Sequence, residues 1–147
     1  MNLVIVLFAG CGFDGSYKDL YLHFACKHPA SATRFMFDSS FSVHMGANMK
    51  YKFLQEDDHT LFILNYGVQT FPNVANIICM GCLQNKYSYE LEAGGVHSSL
   101  KFNSLAQSLP KWTVGLPVKS GLEDQNFINN SSWDPKIQVC ICRKGEE

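Results

Sequence analysis

The dominant period along the chain is two. Phe35 and Phe37 alternate with Arg34 and Asp38; Phe41, Val43 and Met45 with Ser42 and His44; and Met49, Tyr51 and Phe53 with Lys50 and Lys52. Further on, Tyr87, Tyr89 and Leu91 alternate with Ser88, Glu90 and Glu92, and Leu100 and Phe102 with Lys101 and Asn103. Successive side chains of a strand leave opposite faces, so this alternation predicts half-buried antiparallel strands. Two stretches, Thr60 to Tyr66 and Val74 to Met80, are apolar at both parities and predict central or doubly covered strands.

Turn signals separate these runs at Gly46-Ala47-Asn48, Glu56-Asp57-Asp58, Phe71-Pro72-Asn73, Gln84-Asn85 and Gly94-Gly95. Helical patterning is confined to Tyr17 to Ala25 and Ser104 to Leu109. Short strands at this spacing predict an all-β fold, an antiparallel two-sheet β-sandwich of immunoglobulin-like form. It spans residues 1–147 as a single domain, without repeat or linker.

The amino terminus has three readings. Leu3 to Ala9 can be a first strand, residues 1–10 a signal-peptide remnant, or Phe8-Ala9-Gly10-Cys11 a lipobox. The basic leader and longer apolar segment of a signal peptide are missing, which favours the strand. The run is less than half the length of a membrane span, so no transmembrane segment is expected.

Composition narrows the class. The chain has 147 residues, 46% apolar and 13% aromatic, enough to build one core and too apolar for a solvated, disordered chain. Twelve Lys and Arg against thirteen Asp and Glu, without a basic run, argue against a nucleic-acid partner.

Six cysteines are an even number and a high share for this length, which points to disulfides and an oxidising compartment. The overlapping sequons at Asn129 and Asn130 agree with a secreted glycoprotein. Cys140 and Cys142, two apart on one strand, should leave the same face about 7 Å from each other. That separation suits neither as the other's partner. Each is expected to bond a distant cysteine, with Cys11 and Cys26 as candidates. Cys79-Met-Gly-Cys82 is expected to close on itself. A zinc site made with Cys140 and Cys142, a redox pair or free thiols are the alternatives, although no helix follows Cys82 and Cys-x-Cys is not the usual zinc-knuckle spacing.

Candidate chemistry is sparse. The five histidines include no His-x-x-x-His pair, and Glu56 to His59 reads as a solvated hairpin tip rather than a calcium loop. Nucleophile-elbow, phosphate-loop and dinucleotide motifs are absent from the sequence. The expectation is a non-enzymatic protein with no metal and no cofactor.

Several landmarks occur in one order. Leu7-Phe-Ala-Gly-Cys11-Gly-Phe-Asp-Gly15, with Cys26 fifteen positions after Cys11, resembles the opening of the ML lipid-recognition family. Gly67-Val68, Pro72 and the cysteine pair Cys79/Cys82 followed by Tyr87-Ser-Tyr89 are similar to its middle. Pro110, Trp112, Val118, Leu122 and Asp124 resemble its later strands.

The resemblance implies a secreted protein, or one of the endosomal or lysosomal lumen, that binds and transfers a sterol, fatty acyl chain or glycolipid. It also implies a membrane receptor or a second carrier as partner. A lipid carrier must splay its sheets around an apolar lining instead of filling the roughly 10 Å between them with side chains. The expected lining is Phe35, Phe37, Val43, Met45, Tyr51, Phe53, Phe62, Tyr87 and Tyr89. The alternative is an immunoglobulin-like adhesion or decoy module with a filled core. A lipid-anchored surface protein is a third reading, should Cys11 be acylated.

Overall fold

The computed structural model describes residues 3–8, 10–30, 32–44, 51–56, 60–67, 73–81, 86–94, 99–113, 122–124 and 136–143. Along the chain these form β1 (Leu3–Phe8), β2 (Cys11–Ser16), α1 (Tyr17–Lys27), β3 (Ala32–Arg34), β4 (Phe41–His44), β5 (Tyr51–Glu56) and β6 (Thr60–Gly67). There follow β7 (Asn73–Met80), β8 (Tyr87–Gly94), β9 (Ser99–Leu105), β10 (Gln107–Leu109), β11 (Lys111–Thr113), β12 (Leu122–Asp124) and β13 (Lys136–Arg143).

The fold is an all-β sandwich, and its sheets stack in three layers. A small sheet has the order β11-β1-β2, a middle sheet β10-β7-β6-β5-β3 with β12 also on β7, and an outer sheet β4-β13-β8-β9. Most pairings are antiparallel; β1 with β11, β10 with β7 and β3 with β5 are parallel.

The strands predicted to be apolar on both faces are the centre of the middle sheet, and the period of two explains why. Phe62 and Leu64 of β6, Ala75, Ile77 and Cys79 of β7 and Leu54 of β5 point to the outer sheet, where Val43, Tyr87, Tyr89, Leu91, Ile137, Val139 and Ile141 meet them. Leu61, Ile63, Ile78, Met80 and Phe53 point the other way, against Val4, Val6, Phe8, Leu20, Phe24 and Trp112. A sheet covered on one side only would need polar residues at the second set of positions.

The segment Leu3–Phe8 is the middle strand of the small sheet, with Val4 and Val6 fully buried. Helix α1 forms as its pattern predicts. The Ser16 hydroxyl accepts from the Asp19 amide at 3.2 Å, Asp19 lies in the first turn and Lys27 in the last, and Leu20, Tyr21 and Phe24 are buried. The buried Gln55 amide reaches the Tyr21 carbonyl at 3.3 Å and ties β5 to this helix.

Ser104 to Leu109, the other helical pattern, is strand. Ser104 and Leu105 pair with Tyr89 and Ser88, and Gln107–Leu109 run parallel to Ile78–Met80. Six residues are too few to hold a helix against two ladders. Among the described residues no helix is long and apolar enough to cross a membrane.

Candidate metal centre

The residues expected to line one lipid pocket fall into two layers. Phe35, Phe37, Val43, Phe62, Tyr87 and Tyr89 lie between the middle and outer sheets, whereas Tyr51 and Phe53 lie on the far side of the middle sheet. The first group is in ring-to-ring contact: Phe37 stacks on Tyr87 at 5.4 Å, and Phe62 meets Tyr87 edge-on at 5.0 Å and Phe35 at 5.6 Å. In the second group Phe53 packs on Phe24 at 4.5 Å and Phe8 at 4.8 Å, and Tyr51 on Trp112 at 5.1 Å. Adjacent strand parities separate Phe53 from Phe62, so no single pocket holds all the expected residues. Met45, Cys82, Asn129, Asn130 and residues 57–59 lie outside the described residues.

The expected cysteine pairing is corrected in one respect. Cys79 is disulfide-bonded, but Cys11, Cys26, Cys140 and Cys142 are free. Cys11 stands in the small sheet beside α1, while Ile137, Val139 and Ile141 face the core, which turns Cys140 and Cys142 to the outside of the outer sheet. Two layers separate these thiols, and for the same reason Cys79, inside the core, shares no zinc site with Cys140 and Cys142. The two strand cysteines also approach each other more closely than their spacing suggests, with sulfurs 3.8 Å apart.

What the fold assembles instead is a cluster of Cys11, His23 and His28. Cys11 opens β2 directly after a tight hairpin in which Phe8 pairs with Cys11 and Gly10 takes the left-handed conformation at φ 79°. His23 sits on α1 one position before the buried Phe24. His28 is the residue that caps the helix. In a continuous helix it would stand roughly 140° around the axis from His23. Its dihedrals, φ −135° and ψ 50°, break the helical path while its amide still donates to the Phe24 carbonyl at 3.0 Å. The chain thereby brings the imidazole back beside His23, with ring centroids 4.9 Å apart.

Both imidazoles present Nε2 to one sulfur. Cys11 Sγ lies 3.4 Å from His23 Nε2 and 3.1 Å from His28 Nε2, and all three atoms lie within 4.8 Å of one another. Aromatic walls hold the rings: His28 packs on Phe8 at 5.2 Å and Phe24 at 5.4 Å, and His23 on Phe13 at 5.0 Å. Partial burial, and then the neighbouring His28 and Lys27, hold the pKa of His23 below the ordinary imidazole value. Its ring is therefore neutral at pH 7, with a lone pair available.

A thiolate and two imidazoles are a recognisable donor set for borderline and soft first-row ions. With Zn–S about 2.3 Å and Zn–N about 2.05 Å, tetrahedral angles require S···N near 3.6 Å. The cluster reaches that by opening a few tenths of an ångström. All three residues are half-buried, so a fourth position faces solvent. No protein-family model and no curated protein matches the chain. The fold and the cluster define it only as an all-β sandwich bearing a thiol and imidazole site.

Helical ligand pairs have three residues between the histidines, and His23-x-x-x-x-His28 has four. The available signal was the helix end, because Lys27-His28-Pro29 marks where the helix must stop and the next side chain can fold back.

Proposed function

We propose that this chain is a non-enzymatic binding protein that holds one zinc(II) or copper(I) ion through Cys11, His23 and His28. The observation that carries this reading is the convergence of both Nε2 atoms on one Sγ. A nucleophile and base pair would use the same Cys11 to His28 distance. Both Nε2 atoms meet the same sulfur, however, where a nucleophile needs one base, and that favours ligation.

The test is thermal melting of the reduced Cys140→Ser/Cys142→Ser chain with and without zinc. At free zinc a hundred times the dissociation constant, a folded-state site adds about 2.7 kcal/mol. For a chain of this length that raises the melting midpoint by about 5–11 °C. The shift should vanish in Cys11→Ser and in His28→Ala. No shift in the parent, or one that survives both substitutions, overturns the proposal.

Lipid carriage stands as a second reading, supported by six of the nine expected lining residues sharing one inter-sheet layer. Ring contacts among Phe35, Phe37, Phe62 and Tyr87 occupy part of that layer, which favours the interaction module over the carrier between those two. Solvent extraction and mass spectrometry of the purified protein decide the point, since a stoichiometric lipid would restore the carrier.

A further inference from the structure

The outer face of β13 carries a second pair of sulfurs. Successive residues on a strand rise about 3.3 Å, so Cα atoms two apart are separated by roughly 6.7 Å. The Cys140 and Cys142 sulfurs are 3.8 Å apart, so the two side chains lean together. Two thiolates on one tetrahedral zinc, each at about 2.3 Å, are separated by about 3.8 Å. The pair already has the bite of a bidentate dithiolate.

Carboxylates flank it on two sides. Asp38 lies beside the Cys142 thiol. Its backbone is left-handed, φ 64°, and its amide donates to the Ile141 carbonyl at 2.9 Å, which fixes the residue against the edge of β13 beyond the end of β4. A non-glycine residue held at positive φ is strained unless its surroundings retain it, and Asp is among the few that tolerate the conformation. On the other side Glu90 stands opposite Cys140 in the ladder between β13 and β8. Both cysteines and Glu90 line an open groove of about 450 Å³, together with Ser88, Asn103 and Leu105.

We propose that Cys140 and Cys142, flanked by Asp38 and Glu90, form a second metal site that takes a thiophilic d10 ion, zinc(II) in nature and cadmium(II) as its spectroscopic probe. Binding is coordination without electron transfer: each thiol releases one proton to solvent and both sulfurs bind the ion. Two thiolates neutralise a dication, the flanking carboxylates add negative charge that attracts it, and soft sulfur sets the preference over magnesium or calcium. The site lies on the opposite outer layer from Cys11 and is independent of it.

Cadmium titration of the full-length Cys11→Ser chain with the Cys79 disulfide intact, read by the ultraviolet sulfur-to-cadmium charge-transfer band, tests this separately from the first site. One equivalent per chain is expected. Cys140→Ser/Cys142→Ser should abolish the band, and Asp38→Asn should weaken binding tenfold or more while keeping it. Both cysteines face outward, so circular dichroism melts should be unchanged by the serines. If the double variant unfolds, Cys140→Ser alone decides, because it must halve the band and weaken binding at least tenfold. No saturable band in the Cys11→Ser chain, or a band untouched by the cysteine substitutions, overturns the proposal.

Discussion

Ile63→Ala tests whether the middle sheet is covered on its second face. Ile63 lies on β6 between Phe53 of β5 and Ile78 of β7, is fully buried, and belongs to the layer closed by Val6, Phe24 and Trp112. The substitution removes three carbons, about 2.4 kcal/mol at 0.8 kcal/mol per methylene. The cavity left behind brings the expected loss to about 2–5 kcal/mol. With a urea slope near 2 kcal/mol/M, a loss of about 3 kcal/mol lowers the denaturation midpoint by about 1.5 M. Leu22→Ala, on the exposed side of α1, is the internal control and should shift stability by no more than about 0.5 kcal/mol. The outcome that refutes the three-layer arrangement is an Ile63→Ala loss as small as the control's. It would mean that this face of β6 meets water and that β1 and α1 do not seat on it.

Two further outcomes are expected. Gly81 has φ 76°, and a Cβ there would lie 2.8 Å from Tyr17 Cβ and 2.9 Å from Val4 Cγ1, whereas Gly10, at φ 79°, has open space around it. Gly81→Ala should therefore add an overpacking cost of about 1–3 kcal/mol to the backbone cost that both alanines share, and equal urea midpoints for the two variants would show the contact wrong. Burial raises the pKa of Tyr89 above its ordinary 10.0, with hydrogen bonds to the Ile77 backbone and the Ser104 side chain partly opposing it. The folded state holds that proton more tightly than the unfolded chain does. The contribution is thus whole below pH about 10 and lost as pH rises through the folded value, so Tyr89→Phe should fall less steeply in urea midpoint above pH 10 than the parent. Identical alkaline limbs would contradict it.

The architecture was legible where side-chain parity speaks. Alternation at Tyr87 to Glu92 marks β8, with Tyr87, Tyr89 and Leu91 inward and Ser88, Glu90 and Glu92 less buried. Two-sided apolarity at Thr60 to Tyr66 and Val74 to Met80 marks the covered strands. It did not name the cover. Leu3 to Phe8 is too short to declare its partners, and β11, which pairs parallel to β1, is only Lys111–Thr113. A parallel partner so distant in sequence leaves no turn signal between the two, because parallel strands need a long connection. The third layer was therefore implied by the double burial of β6 and β7, but no local pattern pointed to the residues that supply it.

The metal ligands were hidden for a different reason. Motif spacing assumes that the element carrying both ligands is regular, and on a regular helix positions five apart diverge. His23 and His28 converge because the second is where the helix ends. Convergence at a cap depends on the dihedrals of one residue, which Pro29 constrains by disfavouring helical geometry at His28. Cys11 enters through a hairpin turn twelve residues before His23, at a distance no ligand motif encodes. The same logic separates the two thiol pairings. Backbone spacing argues against Cys140 and Cys142 as partners, yet side chains two apart on one face can tilt until their sulfurs meet at 3.8 Å. Backbone spacing bounds the distance between Cα atoms, whereas coordination depends on the side-chain ends. A cysteine pair at i and i+2 thus suits a bridging ion, which needs sulfurs about 3.8 Å apart, better than a disulfide, which needs them at about 2.05 Å.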